Sequence, residues 1–413
     1  MKKLVFLFVI MVALIYAQDS KIPGGSFKVP LGSEVRNGKL VFSSDDGSFF
    51  WWFDSRLQID AAMYFENKNA LSNGSTFRRL TFAMKSQIWE DWNAEFDIDV
   101  AEAVLDLRDM WLQYTVPNMN LSLKIGNFKE PFGMERLNSS RLLTFLERTS
   151  VTNAIALGRR MGFEARYWTD YGQISAGVFG HEAGTRIDKG TRDEGFSTNL
   201  RISAAPINQH GKNVHIGFAG SYKTPDAVAD MSRDAIEIKA RTETYVFDPK
   251  LLHSGDITDV NYYNRYGGEL MAIYGPLYFQ TEMMGMTIKR WYNKPTVNFR
   301  GGYAMAAYVL TGETRYYYVD EGEVGTIEQP KSKWGAVEVA ARFSLLNLND
   351  QSAGIFGGHS HQWMFGVNYY PNANIKIQLN YSKVWLDEFA TSKNKFQGDD
   401  DHSFLQMRFQ ASL

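Results

Sequence analysis

The chain has no cysteine among its 413 residues, which removes disulfide frameworks, thiolate metal sites and cysteine nucleophiles together. After residue 17 it also lacks any apolar run near the ~20 residues that a membrane-spanning helix requires, so any passage through a bilayer falls to strands. No Pro/Ser-rich linker or helix-length periodic block divides it. Gly-x-Ser-x-Gly, a phosphate-cradling glycine loop and a dinucleotide glycine pattern are all missing, and no enzymatic activity is expected. Histidine is sparse: only His359 and His361 stand close, in Gly357–His361, and solvated loop is preferred there over a metal pair. Asp399, Asp400 and Asp401 lack the ligand spacing of a calcium loop and read as an acidic loop tip. No metal or cofactor is expected. The formal charge is −2, and removing Lys2 and Lys3 with the leader takes it to −4, so bulk charge announces no anionic partner and no nucleic acid is expected.

What is present begins with Met1 to Ala17, where two lysines precede an apolar stretch and a small residue, the order of a secretory signal peptide. The rest alternates with period two. From Phe53 to Glu66 one parity reads Phe53, Leu57, Ile59, Ala61, Met63, Phe65 and the other Asp54, Arg56, Gln58, Asp60, Glu66, as on a strand with oil on one side and water on the other.

Strands are expected near 54–66, 78–88, 93–101, 106–115, 121–128, 159–168, 173–180, 197–206, 214–223, 264–273, 277–288, 299–310, 334–345, 362–370, 375–386 and 404–412. Most have the ~9–11 residues of a tilted spanning strand rather than the ~5–6 of a soluble sandwich. Ten tryptophans and 21 tyrosines suit aromatic girdles; a large secreted lectin-like or propeller protein is the soluble alternative. Short and long connections alternate, as in an outer-membrane barrel of even strand count. Two junctions break that rule: 102–105 is short where a long one is expected, and 311–333 is long where a short one is expected. The expected fold is all-β, a transmembrane antiparallel barrel of about sixteen strands: 1–17 leader, 18–50 an N-terminal periplasmic segment, 51–413 the barrel.

Several stretches resemble the phosphate-selective porin O/P family of Gram-negative outer-membrane proteins. They are Phe77-Arg78-Arg79, Trp89-Glu90-Asp91-Trp92 with Glu95-Phe96-Asp97, Gly126-Asn127-Phe128-Lys129-Glu130-Pro131-Phe132-Gly133-Met134-Glu135, Thr311-Gly312-Glu313-Thr314-Arg315, Gly335–Ser344 and Val367–Asn372. The resemblance implies a homotrimer of sixteen-stranded barrels whose third external loop folds inward and narrows the pore. Outer-membrane lipid and lipopolysaccharide are the partners implied for its outside, and small-molecule or inorganic anions for its inside. Leu413 departs from the aromatic residue with which such barrels usually finish.

The residues themselves single out the long connection 129–158, with a helix expected after Asn138 and Ser139 that places Arg141, Phe145 and Arg148 on one face. From Asn127 to Arg160 the cations Lys129, Arg136, Arg141, Arg148, Arg159 and Arg160 oppose Glu130, Glu135 and Glu147, a net of +3. Parity turns Arg79, Lys85, Arg160, Arg166 and Arg201 toward water and sends Arg78 to the lipid face or rim. Guanidiniums hold phosphate or carboxylate by two bonds and keep their charge, so these ten residues are candidate anion-binding and pore-lining groups. Against them, Glu95, Asp97, Asp99, Glu102, Asp106 and Asp109 with one Arg108 form a net −5 stretch. The residues therefore leave open an anion pore, a general or organic-solute pore, a cation-preferring pore and a structural barrel whose loops 224–263 and 387–403 serve as receptor surface; the expected function is an outer-membrane porin for small hydrophilic solutes, anions such as phosphate leading.

Overall fold

A computed structural model describes residues 31–36, 39–66, 68–183, 192–228, 235–247 and 249–412; the leader and Leu413 lie outside them. All sixteen expected segments are strands: β1 Phe49–Phe65, β2 Gly74–Ile88, β3 Trp92–Asp99, β4 Asp106–Thr115, β5 Leu121–Lys129, β6 Arg159–Thr169, β7 Gly172–Phe179 and β8 Ser197–Gln209. The second half follows as β9 Lys212–Lys223, β10 Val260–Tyr274, β11 Leu277–Arg290, β12 Val297–Val309, β13 Ala336–Asp350, β14 Ile355–Tyr370, β15 Ile375–Leu386 and β16 His402–Ser412. Each pairs antiparallel with its sequence neighbour, and β16 returns to β1 from Ser403↔Phe65 to Ser412↔Arg56, closing a barrel. Alternation decides the faces: on β16 Gln406, Arg408 and Gln410 are buried while Leu405, Met407 and Phe409 are exposed. No described helix is long and apolar enough to cross a membrane.

A hairpin of Leu31–Arg36 and Lys39–Ser44 joins the same sheet, its second strand pairing with β1 at Val41↔Trp52, Phe42↔Trp51 and Ser43↔Phe50. It occupies the part of β1 that β16, which reaches only to Arg56, leaves without a partner on that side.

Two bulges overturn simple parity. Between β1 and β2 the register passes from Gln58↔Arg79 to Ile59↔Phe77. Arg78 is the extra residue, so both guanidiniums turn inside, and Arg78 Nε donates to Glu147 Oε1 at 2.8 Å. Arg78 is therefore not a lipid or rim residue. Between β3 and β4 the register jumps from Phe96↔Met110 to Ile98↔Leu107, and the consecutive Arg108 and Asp109 both reach the lumen.

The long junction 311–333 is a hairpin, Arg315–Tyr318 with Glu323–Ile327, tied to the inner wall. Arg201 donates to the carbonyls of Glu321 and Gly322 at 3.0 and 2.7 Å, and Tyr317 Oη lies 2.7 Å from His215 Nδ1. The short junction 102–105 is one 3-10 turn, Ala101–Ala103, between the 8-residue β3 and the 10-residue β4.

The connection between β5 and β6 holds two short helices, α1 Met134–Leu137 and α2 Ser150–Ile155. Thr149, not Asn138, caps the second by accepting from Thr152 N. Residues 138–149 are not helical, so Arg141, Phe145 and Arg148 share no helix face. Side chains on the inner face of the last strands claim that segment's carbonyls instead. Lys376 Nζ donates to Arg141 O (2.9 Å) and Leu143 O (3.0 Å), Gln378 Nε2 (3.0 Å) and Asn368 Nδ2 (2.8 Å) to Thr144 O, Arg408 Nη1 to Leu146 O (2.5 Å) and Arg342 Nη1 to Glu147 O (3.2 Å). These bonds replace those a helix would make along its own axis.

Part of the interior is oily. Phe132, Met134, Phe145, Val151 and Ile155 of this connection pack with Met284, Met286, Phe299, Leu346, Met364 and Phe404 of the wall and with Leu251, Leu252 and Ile257 of the β9–β10 connection. That connection also buries Glu243, paired with Arg342, so part of it packs inside the barrel, while residues such as Ala235 and Asp256 remain exposed. His359 and His361 belong to β14 and face outward, not to a loop; the His361 ring stacks on Trp385 at 5.0 Å. Asp400 is buried and accepts from the amides of Lys68 and Asn69 at 2.6 and 3.0 Å, so it fastens two loops together rather than forming a tip.

Candidate functional site: a charged cavity in the lumen

Because packing fills the lumen beside β10–β16, open space remains between residues 136–148 and the inner faces of β1–β6, with the tip of the 315–327 hairpin at one side. This cavity measures about 260 Å³. Among the described residues its lining carries ten cations and six acids, a formal net of +4.

Seven of the ten candidate cations line it: Lys85, Lys129, Arg136, Arg141, Arg148, Arg159 and Arg166. The other three face inward but build the scaffold. Arg79 donates to Gln58 Oε1 at 2.7 Å and lies 3.8 Å from Glu147. Arg160 lies 3.7 Å from Glu130, away from this cavity. Arg201 pairs with Glu269 at 2.6 Å while gripping the hairpin carbonyls. Parity states which side of a sheet a residue occupies, not what already fills that side.

Three lining cations were not singled out from the sequence: Arg56 on β1, Lys124 on β5 and Arg108 on β4. The inward parity of Arg56 and Lys124 was readable, as even positions in segments placed correctly. Arg108 was hidden by the bulge.

The ten cations divide by partner. Lys85 (Asp54 at 3.3 Å, Glu95 at 3.5 Å), Arg108 (Asp97 at 3.2 Å), Arg141 (Asp54 at 3.1 Å), Arg159 (Asp109) and Arg166 (Glu164 at 2.9 Å) are ion-paired. Arg56, Lys124, Lys129, Arg136 and Arg148 have no carboxylate within 4.0 Å among the described residues. Arg56 donates to Ser140 Oγ at 2.5 Å, and Lys124 sits over the Trp111 ring, 4.5 Å from its centroid. Lys129, Arg136 and Arg148 donate to main-chain carbonyls, Arg148 to those of Glu135 and Asn138 at 2.8 and 2.6 Å. The buried Nε atoms of Arg56, Arg136, Arg159 and Arg166 have no hydrogen-bond partner among the described residues.

Facing them, Glu95, Asp97 and Asp109 bring carboxylate oxygens within 4.8 Å of one another. Lys85, Arg108 and Arg159 already neutralise the three one by one, which speaks against a cation site there.

Outside the wall strands, Glu323 on the hairpin has its pKa pushed up to about 7, chiefly by burial and next by the negative charge of Glu321. Glu147 goes the other way. Burial would raise its carboxyl, but Arg78, Arg79 and Arg408 together hold it well below the usual range.

The motif residues position this arrangement. Gly126 has φ +135°, and a Cβ there would stand 2.2 Å from Met110 O, so only glycine lets β5 press against β4 beside Trp111. Gly133, at φ +77°, turns the chain into α1, with Glu282 accepting from the Glu135 amide at 2.7 Å. Glu130 is fully buried and meets Arg265 at 2.5 Å and Ser197 Oγ at 2.7 Å. Glu338 receives Arg315 at 2.5 Å.

The sequence pattern of the family described as Phosphate-selective porin O and P matches residues 53–412. Porin O of Pseudomonas aeruginosa is 24% identical, the match covering 90% of each chain. Among solved structures, the in-vitro folded trimer form of OmpT, an outer-membrane protein of Vibrio cholerae, superposes with a TM-score of 0.53 at 8% identity, covering 89% of this chain and 100% of that one. The anion-selective porin from Comamonas acidovorans gives 0.52 at 10%, covering 88% and 100%. At such identities the two structures speak for the fold alone.

Proposed function

The chain belongs to the phosphate-selective porin O and P family and is thus an outer-membrane porin, and from that premise we propose that it passes small hydrophilic solutes by passive diffusion and prefers anions such as phosphate. The observation that carries the preference is the set of five lining cations without a carboxylate within 4.0 Å among the described residues, in a cavity of net +4. A phosphate entering it meets guanidinium and ammonium donors that no described carboxylate contacts within 4.0 Å. Each group holds the anion while neighbours stand ready to receive it, the condition for conduction rather than trapping. Connection 129–158, fastened through its carbonyls, is the element that narrows the path, and its lining cations Lys129, Arg136, Arg141 and Arg148 act with Lys85, Arg159 and Arg166 of the wall.

The test is single-channel recording of the refolded protein across a potassium chloride gradient, followed by phosphate titration. Anion selectivity with current blocked by phosphate supports the proposal; a weakly selective pore indifferent to phosphate sinks it.

One observation favours a second reading. The same cavity is lined by six acids as well as by its cations, and a cavity that offers both signs can hold the two ends of zwitterions such as amino acids. Block by a neutral amino acid at concentrations where phosphate has no effect would select that reading. The porin is further proposed to work as a homotrimer embedded among outer-membrane lipid and lipopolysaccharide, with the segment 18–50 on the periplasmic side, where the short turns lie.

A further inference from the structure

The outer face of the barrel carries a charged patch that the lumen does not use. Arg300 projects outward from β12 and is exposed, as are Ala304, Ala306 and Tyr308 along the same face. With a strand rise of ~3.3 Å and a tilt of ~40°, the eight residues from Tyr308 to Arg300 climb roughly 20 Å, close to the full height of the ~25 Å apolar band. Arg300 therefore stands at the outer edge of the hydrocarbon, on the side of the long connections. Among the described residues its side chain has no hydrogen bond or ion pair.

Its surroundings are those of a binding patch. On β11 the register partner is Gly285, and the Tyr266 ring fills the place of its missing side chain, where a Cβ would stand 2.4 Å from that ring. Lys289 faces outward two pleats farther up β11, its side chain donating to Thr296 Oγ1 at 3.1 Å. Asn298 lies above Arg300 on β12, and Asn347 is its partner on β13. The acid at the top of β13, Asp350, is engaged by the Asn298 amide at 2.9 Å and by Ser352 at 2.6 Å.

We propose that this patch binds the phosphorylated sugar headgroup of lipopolysaccharide in the outer leaflet. An outward guanidinium in hydrocarbon is costly unless it meets an interface or a counter-charge. A phosphate at the depth of Arg300 supplies both, accepting the two parallel bonds of the fork while Lys289 adds a second charge and the side-chain nitrogen of Asn347 reaches a sugar hydroxyl. Tyr266 closes one side at the level where amphipathic rings settle. The proposal rests on the outer-membrane placement stated above and is independent of which ions the pore prefers.

The experiment is native mass spectrometry of the purified assembly with three added lipids: bisphosphorylated lipid A, dephosphorylated lipid A and phosphatidylglycerol. The native protein is expected to hold the bisphosphorylated form about tenfold more tightly than the dephosphorylated one, and R300Q with K289Q to lose that preference while conductance stays unchanged. Equal binding of the two lipid A forms by the native protein overturns the proposal without any variant, as does an undiminished preference in the folded double variant. Phosphatidylglycerol binding as tightly as lipid A overturns the assignment to the glycolipid. Conductance in the same preparations reports separately on the pore: lipid preference without current would sink the porin reading and leave the patch standing.

Discussion

Arg408 and Asp60 face each other in register across the seam that closes the barrel, joined by two bonds of 2.6 Å. Both side chains are buried, and the same guanidinium continues inward to Glu147 at 2.7 Å. One residue thus couples closure of the wall to the fastening of connection 129–158. Asp60→Asn leaves a buried charge short of its partner and is expected to cost about 3–5 kcal/mol, read as a lowered urea midpoint of the refolded barrel. Replacing the pair together, D60L with R408M, is expected to recover part of that loss. A single variant as stable as the native protein would show that the seam does not depend on the pair.

Selectivity is expected to follow the unpaired cations. Arg56→Gln with Lys124→Gln takes the lining charge from +4 to +2, and at contact range each charge is worth about 1 kcal/mol in water. The anion-to-cation permeability ratio should fall several-fold, seen as a zero-current potential moving toward zero in a salt gradient. Arg148 is a poor choice for this test because its guanidinium holds the carbonyls of Glu135 and Asn138. An unchanged potential in the folded double variant removes Arg56 and Lys124 from the conduction path.

A pH dependence follows from Glu323, whose pKa is raised to about 7. It faces Glu321, Lys129, Arg166 and Arg201. At pH 8 its carboxylate is charged and the cavity stands at +4; at pH 6 it is protonated and the cavity stands at +5. Anion preference is therefore expected to rise as pH falls through neutrality, and E323Q to abolish the change. The same slope in E323Q would assign the titration to another group.

The 315–327 hairpin touches the middle of connection 129–158, where Val324 N donates to Asn138 Oδ1 at 3.1 Å. Replacing residues 316–327 by a two-residue turn, with Arg315 kept on Glu338, should widen the passage and raise single-channel conductance by about twofold or more, since the lining residues set the pore's cross-section. Conductance at the native value would place the constriction elsewhere.

All sixteen strands were legible because the period-two pattern is imposed by oil outside and water or polar packing inside, and it survives whatever a single residue does. What the pattern hid was local. Arg78 and Arg108 sit in bulges, and one extra residue reverses parity from that point. The helix expected after Asn138 failed because Lys376, Gln378 and Arg408, more than 200 positions away, take the carbonyls it needed. The candidate site was half legible: inward cations were found in the right stretch, yet Arg79 and Arg201 proved to be fasteners. The stretches that carry the family likeness are likewise largely scaffold, with Glu130, Glu338 and Arg342 buried in pairs that anchor the inner segments.

The wall grips connection 129–158 mainly by its carbonyls, from Leu137 and Asn138 through Arg141, Leu143, Thr144 and Leu146 to Glu147. Every residue type offers the same carbonyl, so the grip is blind to what the loop displays toward the open side. Only substitutions at displayed residues whose side chains take no part in the mount, such as Ser139 and unlike Glu147 and Arg148, leave it untouched, so on the proposed function this stretch is a partly exchangeable cartridge: point changes in a few displayed residues are expected to retune the pore while the barrel that carries them stays as it is.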